Sequence, residues 1–241
     1  MNENLDIFIC AHKDFNRYPK NPVYSIIASE GQLKEQYEIN TLGEKDGKYT
    51  YMQEYINEFT RMHWVSENVK LKDYVGFCHY RRYFKFFNNV PDMNEMFKTY
   101  DLITLKQLEV NVRDNYNMYH NLYDYTTIQQ IIMANYYDIT AKDLAEFDKS
   151  LYACNMFVMK TDDFHKYVEF VSNIIDEFIR VMKFNSGKDI ENYIIRNNNL
   201  YRHEDMTYQR RMIGFLSERI SSIYFKKYHK NILEYDLIQI L

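Results

Sequence analysis

Cationic and aromatic side chains follow two apolar runs that have the length and composition of buried strands. Leu5–Cys10 leads into Ala11-His12-Lys13, and residues 73–79 continue into Tyr80-Arg81-Arg82. Ligands of open α/β sheets bind beyond the carboxyl ends of the strands. Arginine suits an anionic ligand such as a diphosphate, because its guanidinium can grip phosphate oxygens with paired hydrogen bonds. The two strand ends therefore predict an anion site.

Strand geometry limits how many of these cations can meet one ligand. If residues 79–82 are extended, successive side chains alternate between the two faces of the sheet. His79 and Arg81 then share one face, and Tyr80 and Arg82 share the other. One arginine at most would face the ligand, and the other would pair with an acidic residue. Two structural ion pairs explain the same residues equally well, so both interpretations stay open.

Other sequence patterns exclude several classes of protein. No Walker motif or Gly-x-Gly-x-x-Gly follows a predicted strand, and there is no Gly-x-Ser-x-Gly elbow. Histidines and cysteines never fall at zinc-binding spacing, and buried reduced thiols explain Cys10, Cys78 and Cys154 better than metal ligands or nucleophiles. A net charge of −4, from 34 acidic and 30 basic residues, predicts that no nucleic acid is bound.

The elements that must position these side chains alternate between strands and helices. Strands are predicted at residues 5–10, 24–27, 73–79, 100–105, 151–160 and 232–241, and helices at residues 52–67, 126–135, 141–149, 162–183 and 206–225. Loops are predicted at residues 40–50, which are polar, and at residues 106–125, which are polar and aromatic, and residues 186–206 are a further polar stretch. The alternation predicts an α/β fold with a mixed, mostly parallel sheet flanked by helices, and a single domain over residues 1–241.

Composition also predicts a cytoplasmic protein. The first residues are polar and acidic, unlike a signal peptide, and no apolar run approaches the length of a membrane span. Lys226, Lys227 and Lys230 lie among aromatic residues and could touch the inner face of an anionic membrane. A solvated helix end explains these lysines better.

The run Asp73-Tyr74-Val75-Gly76-Phe77-Cys78-His79-Tyr80-Arg81-Arg82-Tyr83-Phe84 closely resembles the signature of a bacterial family first catalogued as a domain of unknown function. That family occurs in capsule, exopolysaccharide and lipopolysaccharide gene clusters and is treated as glycosyltransferases. Further segments resemble the family in the expected order, at residues 9–13, 46–47, 57–64, 100–103, 120–124, 154–159 and 214–219. The resemblance spans nearly the whole chain and implies the Rossmann-like GT-A fold of nucleotide-sugar transferases.

The resemblance implies roles for several residues. The donor site is expected to contain Ala11, His12, Lys13, Asp46, His79, Tyr80, Arg81 and Arg82. The candidates for the base that takes the acceptor's proton are, in falling order, Asp124, His120 and Asp205. Asn155 is expected near the donor sugar or the acceptor, although a hydrogen bond to a neighbouring loop explains it equally well. Glu218 and Arg219 are interpreted as a structural pair at the far wall of the site.

Metal dependence is left open by one departure from the GT-A pattern. These enzymes usually carry Asp-x-Asp at the end of the strand after the first long helix, where it holds a divalent metal on the diphosphate. This sequence has His79-Tyr80-Arg81-Arg82 there. Either other carboxylates hold Mn²⁺ or Mg²⁺, or cationic side chains replace the metal. No organic cofactor is expected.

The resemblance implies transfer of a sugar from a nucleoside-diphosphate donor, expected to be UDP-linked, to a hydroxyl of a surface glycan or lipid-linked glycan. A rival of another class is a non-catalytic carbohydrate-binding protein on a transferase-like scaffold, which should ignore UDP. A phosphosugar hydrolase would need a dense carboxylate cluster at the strand ends, where the sequence has mainly cations.

Overall fold

The computed structural model describes residues 4–197 and 205–239, and these residues contain one nine-stranded sheet. Its strands are β1 (Leu5–Cys10), β2 (Tyr24–Ser29), β3 (Thr41–Glu44), β4 (Tyr74–His79), β5 (Arg82–Phe84), β6 (Leu102–Leu105), β7 (Phe157–Lys160), β8 (Ile232–Tyr235) and β9 (Leu237–Gln239).

Helices cover the sheet. A short 3₁₀ helix at Thr50–Met52 precedes α1 (Gln53–Ile56), and the others are α2 (Glu58–Asn68), α3 (Met93–Met96), α4 (Val112–Asn117), α5 (Leu122–Asn135), α6 (Ala141–Phe147), α7 (Thr161–Met182), α8 (Gly187–Arg196), α9 (Met206–Arg210) and α10 (Met212–Tyr228). No helix within the described ranges is both long and apolar enough to span a bilayer.

The main path of the sheet runs in the order β3-β2-β1-β4-β7-β6-β8. Every pair along it is parallel except the two made by β7, which lies antiparallel to β4 and β6. β4 is central, and all six of its residues are buried. The fold is therefore the mixed, mostly parallel α/β architecture predicted from the sequence.

Alternating side chains of the central strands build a core on each face of the sheet. Phe8 and Phe77 belong to the core that contains side chains of α2, α7 and α10. Ile7 and Cys78 belong to a second core, together with Phe84 of β5. The sheet is consequently covered on both faces, as a mostly parallel sheet requires.

Residues 79–82 do not stay extended. β4 ends at His79, β5 begins at Arg82, and these two residues pair with each other across a hairpin whose turn is Tyr80-Arg81. β9 extends this hairpin by pairing Gln239 with Arg82. Since the chain reverses between the two arginines, strand alternation does not decide which way they point.

Several predicted boundaries also change. The helix expected at residues 52–67 is interrupted at Asn57, whose φ is 60°, and the helix expected at residues 206–225 is split at Arg211. The strand expected at residues 151–160 is only β7, because Cys154 and Asn155 have φ values of 72° and 48°. Extended strands do not accommodate positive φ.

Two stretches predicted as loops, and the polar stretch at residues 186–206, contain regular elements. β3 lies in residues 40–50, α4 and the start of α5 lie in residues 106–125, and α8 lies in residues 186–206. Side-chain caps define two of these starts. Asn111 accepts the Asp114 N–H at α4, and Asn121 accepts the Tyr123 N–H at α5.

Candidate functional site

A cavity of about 430 Å³ lies where the chain leaves β1 and β2 and where α2 begins. Its size falls within the range of roughly 300–1,000 Å³ that is typical of small-molecule sites. The lining residues are His12, Gln32, Gln53, Glu54, Asn57, Glu58, Arg61, Thr207, Arg210 and Arg211. The position matches the predicted ligand site beyond the carboxyl ends of the parallel strands.

The arginines that line this cavity lie on α2, at the end of α9 and at the break before α10, rather than at the end of β4 where the sequence predicted the cations. Arg61 on α2 is buried, its Nη2 donates to Gln32 Oε1 at 3.1 Å, and its Nε has no hydrogen-bond partner within residues 4–197 and 205–239. Arg211 donates through Nε to Asn57 Oδ1 at 3.3 Å. A buried cation that lines a cavity suits an anionic ligand.

Sequence reasoning missed Arg61 and Arg211. Arg61 precedes the core residue Met62, so the pattern of α2 indicates only an amphipathic helix. Arg211 lies at the break between α9 and α10, which the apolar periodicity of residues 206–225 does not reveal. Arg61 could be recognised from the sequence only if it were known that Gln32, 29 positions earlier, lies beside it in the fold.

The hairpin contributes His79 to the site. His79 Nε2 lies 3.6 Å from Glu58 Oε1, and its Nδ1 accepts the Arg81 backbone N–H at 3.3 Å. Burial lowers the pKa of His79 to about 4, although Glu58 acts in the opposite direction. Burial acts to raise the pKa of Glu58, but His79, a backbone N–H, Arg211 and Arg61 together lower it. Near neutral pH the pair is therefore a carboxylate beside a neutral imidazole.

The two hairpin arginines lie outside the cavity lining. Arg81 is exposed, with its guanidinium carbon 4.9 Å from the centre of the Tyr80 ring. Arg82 donates through Nη1 to Cys154 Sγ at 3.6 Å. Tyr80 is buried, and its hydroxyl lies 3.3 Å from His12 Nε2, so it connects the hairpin to the residues after β1.

Of the predicted residues after β1 and β3, His12 alone lines the cavity. Ala11 is buried and continues the sheet, since its N–H donates to Ile27 O at 2.9 Å. Lys13 and Asp46 are exposed, and Asp46 has a φ of 52° in the loop after β3.

Asp124 and His120 are fully buried away from the cavity lining. Asp124 Oδ1 accepts the Tyr193 hydroxyl at 2.6 Å, and His120 packs against the rings of Tyr208 and Phe215. Burial raises the pKa of Asp124 to about 7, while the hydroxyls of Tyr193 and Tyr116 act to lower it. Their catalytic role stays a prediction that this burial does not favour.

The Asp124→Asn variant is expected to become more stable relative to the wild type as the pH rises from about 5 to about 8. The difference between their free energies of unfolding should change by about 1–3 kcal/mol over this range. The folded pKa lies above the ordinary value of 3.8, so the stability that the carboxyl contributes is complete below that value and is lost as the pH rises through about 7. Asparagine cannot ionise and escapes this loss. Urea unfolding of both proteins across this range measures the difference, and a constant gap would contradict the raised pKa.

Asp205 and Asn155 both serve local structure. Asp205 caps α9 by accepting the Thr207 N–H at 2.8 Å, which brings it next to a cavity residue. Asn155 is buried, its Nδ2 lies 3.4 Å from Ser217 Oγ, and its Oδ1 accepts the Ser221 hydroxyl at 3.0 Å. These bonds tie Asn155 to α10, and its predicted contact with a sugar stays a prediction.

Glu218, also on α10, accepts the Cys154 N–H at 3.2 Å and lies 3.5 Å from Arg219 Nη1. Burial raises its pKa, while Arg219 acts to lower it. This agrees with the predicted structural pair. The bond to Cys154 also holds the turn with positive φ beside Arg82.

The basic residues near the C-terminus are largely engaged within the protein. Lys226 Nζ donates to Phe147 O at 2.7 Å, and burial lowers the pKa of Lys226 to about 8. Lys227 Nζ donates to Asp138 O. These contacts favour the ordinary helix end over a membrane-binding surface.

Within residues 4–197 and 205–239, no three or more His, Cys, Asp or Glu side chains lie close enough together to hold a metal ion. Among the described residues, Glu54 and Glu58 are the carboxylates that line the cavity, and they share it with Arg61, Arg210 and Arg211. This mixture fits an anion better than it fits a divalent cation.

Comparisons with known proteins agree with this architecture. The chain superposes on the WbbM bifunctional glycosyltransferase in its apo form with a TM-score of 0.72 and 19% sequence identity, over 99% of this chain and 45% of that one. The chain thus spans under half the length of that protein, and at this identity the likeness shows the fold. No curated protein sequence matches. Residues 6–230 match the family model described as domain of unknown function DUF4422, and the chain belongs to that family.

Proposed function

We propose that the chain is a glycosyltransferase that moves a sugar from a nucleoside-diphosphate donor to a hydroxyl of a surface glycan, free or lipid-linked. The observation that carries the proposal is the buried, incompletely paired guanidinium of Arg61 in a cavity at the carboxyl ends of the parallel strands. The likeness of its fold to that of a glycosyltransferase supports the same conclusion.

In this proposal the donor diphosphate binds against Arg61 and Arg211. Both guanidinium groups meet the negative charge that develops as the diphosphate leaves, which is where fixed cations lower the barrier most. His12 borders the nucleotide, in keeping with its place in the cavity lining. Contacts of Lys13, Asp46 and the hairpin arginines with the donor remain sequence-based predictions.

The sequence leaves open whether a divalent metal or cationic side chains neutralise the donor diphosphate. We propose that cationic side chains do so. Arginine binds phosphate oxygens in bidentate fashion and carries its charge at every physiological pH. We accordingly expect UDP to bind in the presence of EDTA, and added Mn²⁺ or Mg²⁺ to change its affinity by less than about tenfold.

Titration calorimetry with UDP and UMP tests the proposed site. UDP is expected to bind at least about tenfold more tightly than UMP, because the second phosphate adds charge-assisted hydrogen bonds to arginine worth about 1.5–3 kcal/mol. Release of UDP from UDP-glucose, UDP-galactose and UDP-N-acetylglucosamine, with water or octyl glycosides as acceptors, then tests for turnover.

The same measurements separate the rival function. A carbohydrate-binding protein on this scaffold would be stabilised by glycans, would ignore UDP and would release none from a nucleotide sugar. Failure of every nucleotide to bind would overturn the proposed function.

A further inference from the structure

Glu58 occupies a position in the cavity that the sequence did not single out. It is the first residue of α2, its side chain is 18% exposed, and it lines the cavity together with Arg61. This partial exposure distinguishes it from Asp124 and His120, which are fully buried. A base must reach the proton that it accepts, so Glu58 is better placed than either of them.

The tautomer of His79 follows from the hairpin. Nδ1 accepts the Arg81 N–H, so this nitrogen carries a lone pair. A neutral imidazole then has its proton on Nε2, the atom that faces Glu58 Oε1 at 3.6 Å. The turn at Tyr80-Arg81 thus orients an N–H group towards the carboxylate, which is the arrangement by which a neighbouring group holds a catalytic side chain in place.

Charged groups from several elements surround the carboxylate of Glu58. The groups that influence its titration, or whose titration it influences, are His79, Arg61, Arg211, Glu218, His12, Cys10, Tyr80 and Cys154. The positive groups and the N–H donors outweigh burial, so the pKa of Glu58 lies below its ordinary value of 4.5. Glu58 is therefore ionised at neutral pH, as a proton acceptor must be.

We propose that Glu58 is the catalytic base that takes the proton from the acceptor hydroxyl, and that His79 positions it. This inference rests on the proposed function. The acceptor oxygen attacks the anomeric carbon, and the bond from that carbon to the diphosphate oxygen breaks. The electron pair leaves with the nucleoside diphosphate, whose charge meets Arg61 and Arg211. The acceptor proton moves to a Glu58 carboxylate oxygen and is later released to water.

In this proposal the hairpin of β4 and β5 orients His79 instead of supplying cations to the donor. The hairpin was expected to supply cations, yet Arg81 contributes its backbone N–H to His79 and Arg82 lies against Cys154. Asp205, the remaining candidate base, already accepts the Thr207 N–H in its cap. Within residues 4–197 and 205–239, Glu58 is the carboxylate that combines cavity access with an oriented neighbour.

Glu58→Gln tests the base directly. The rate of UDP release from a UDP-hexose that the wild type turns over is expected to fall about 100- to 10,000-fold, which is the usual contribution of general base catalysis. The affinity for UDP should change by less than about threefold. Glu67→Gln is the matched control, since Glu67 is on the same helix and also lies beside a histidine, His63, at 3.3 Å. It should turn over like the wild type.

Two variants of His79 separate positioning from folding. His79→Ala should lower kcat about tenfold with little change in the KM for donor, and should move the acidic limb of the pH profile upward, because the carboxylate loses an N–H that favours its charged form. His79→Gln, whose amide N–H can replace Nε2–H, should recover most of both effects. Wild-type turnover should be flat from about pH 5 to about pH 8.

The outcomes are distinguishable. Turnover by the wild type together with undiminished turnover by a folded Glu58→Gln variant would overturn this inference and leave the proposed function standing. A Glu58→Gln variant that loses UDP binding in step with turnover would make Glu58 a donor-binding residue instead. Absence of turnover and of UDP binding in the wild type would remove both proposals.

Discussion

Replacing Arg61 by methionine is expected to weaken UDP binding about 100-fold, which corresponds to about 2.7 kcal/mol. Methionine keeps much of the length and apolar contact of the arginine stem but removes the charge and every donor. Hydrogen bonds between charged groups contribute about 1.5–3 kcal/mol each, and the guanidinium of Arg61 lines the cavity. Titration calorimetry with UDP at fixed ionic strength measures the loss.

Arg113→Met provides the control for Arg61→Met. Arg113 is half-buried, and it donates to an amide oxygen, Gln129 Oε1 at 2.6 Å, much as the buried Arg61 donates to Gln32. It lies on α4, outside the cavity lining, so its replacement should leave UDP affinity unchanged. A folded Arg61→Met variant that binds UDP as tightly as the wild type would show that the diphosphate binds elsewhere.

Arg81→Ala tests the role that the sequence assigned to the hairpin. Arg81 is exposed and stacks on Tyr80, so its removal is expected to reduce UDP affinity by less than about tenfold. A loss as large as that of Arg61→Met would instead place the diphosphate at the hairpin.

Local sequence predicts the elements whose pattern is local. The buried runs of β1 and β4 follow from their apolar composition, and the position of the site follows from the rule that ligands bind at carboxyl ends of parallel strands. The turn at Tyr80-Arg81 could not be predicted in this way. The hairpin that contains this turn pairs with β9, where Gln239 lies opposite Arg82 over a sequence separation that no local pattern reports.

The residues of the candidate site likewise divide into those that local sequence indicates and those that depend on the fold. His12 and His79 stand next to strand ends, where chemistry can be expected from position alone. Glu58 and Arg61 are helical residues whose function depends on which face of α2 meets β4 and the chain after β2. The catalytic role that the resemblance implies for Asp124 stays a prediction, and its burial is a property of the packed helices that local sequence does not report.

The site also depends on one close contact between α10 and Asn57, the residue between α1 and α2. Gly214 on α10 packs against Asn57, and a Cβ at position 214 would lie 1.9 Å from Asn57 Nδ2 and 2.8 Å from its Cγ. Asn57 in turn accepts the Arg211 guanidinium and immediately precedes Glu58. Its φ of 60° is costly for a residue with a side chain.

Gly214→Ala is therefore expected to lower the free energy of unfolding by about 3 kcal/mol, even though alanine favours a helix over glycine by about 1 kcal/mol. The Asn57 side chain must leave its place, so Arg211 loses its partner and UDP affinity should fall as well. Urea unfolding and calorimetry measure the two effects. Gly43→Ala is the control, because a Cβ there would approach no atom closer than 3.6 Å.

Adding Asn57→Gly to Gly214→Ala separates the clash from the function of the contact. Glycine at position 57 vacates the space that the new methyl group needs and adopts a positive φ without strain, so stability should return towards that of the wild type. Arg211 would still lack the amide oxygen that holds it, so UDP affinity should stay low. If the double variant regained full affinity, Arg211 would not need Asn57, and the contact would matter only for packing. If Gly214→Ala alone were as stable as the wild type, α10 could not lie against Asn57 as described.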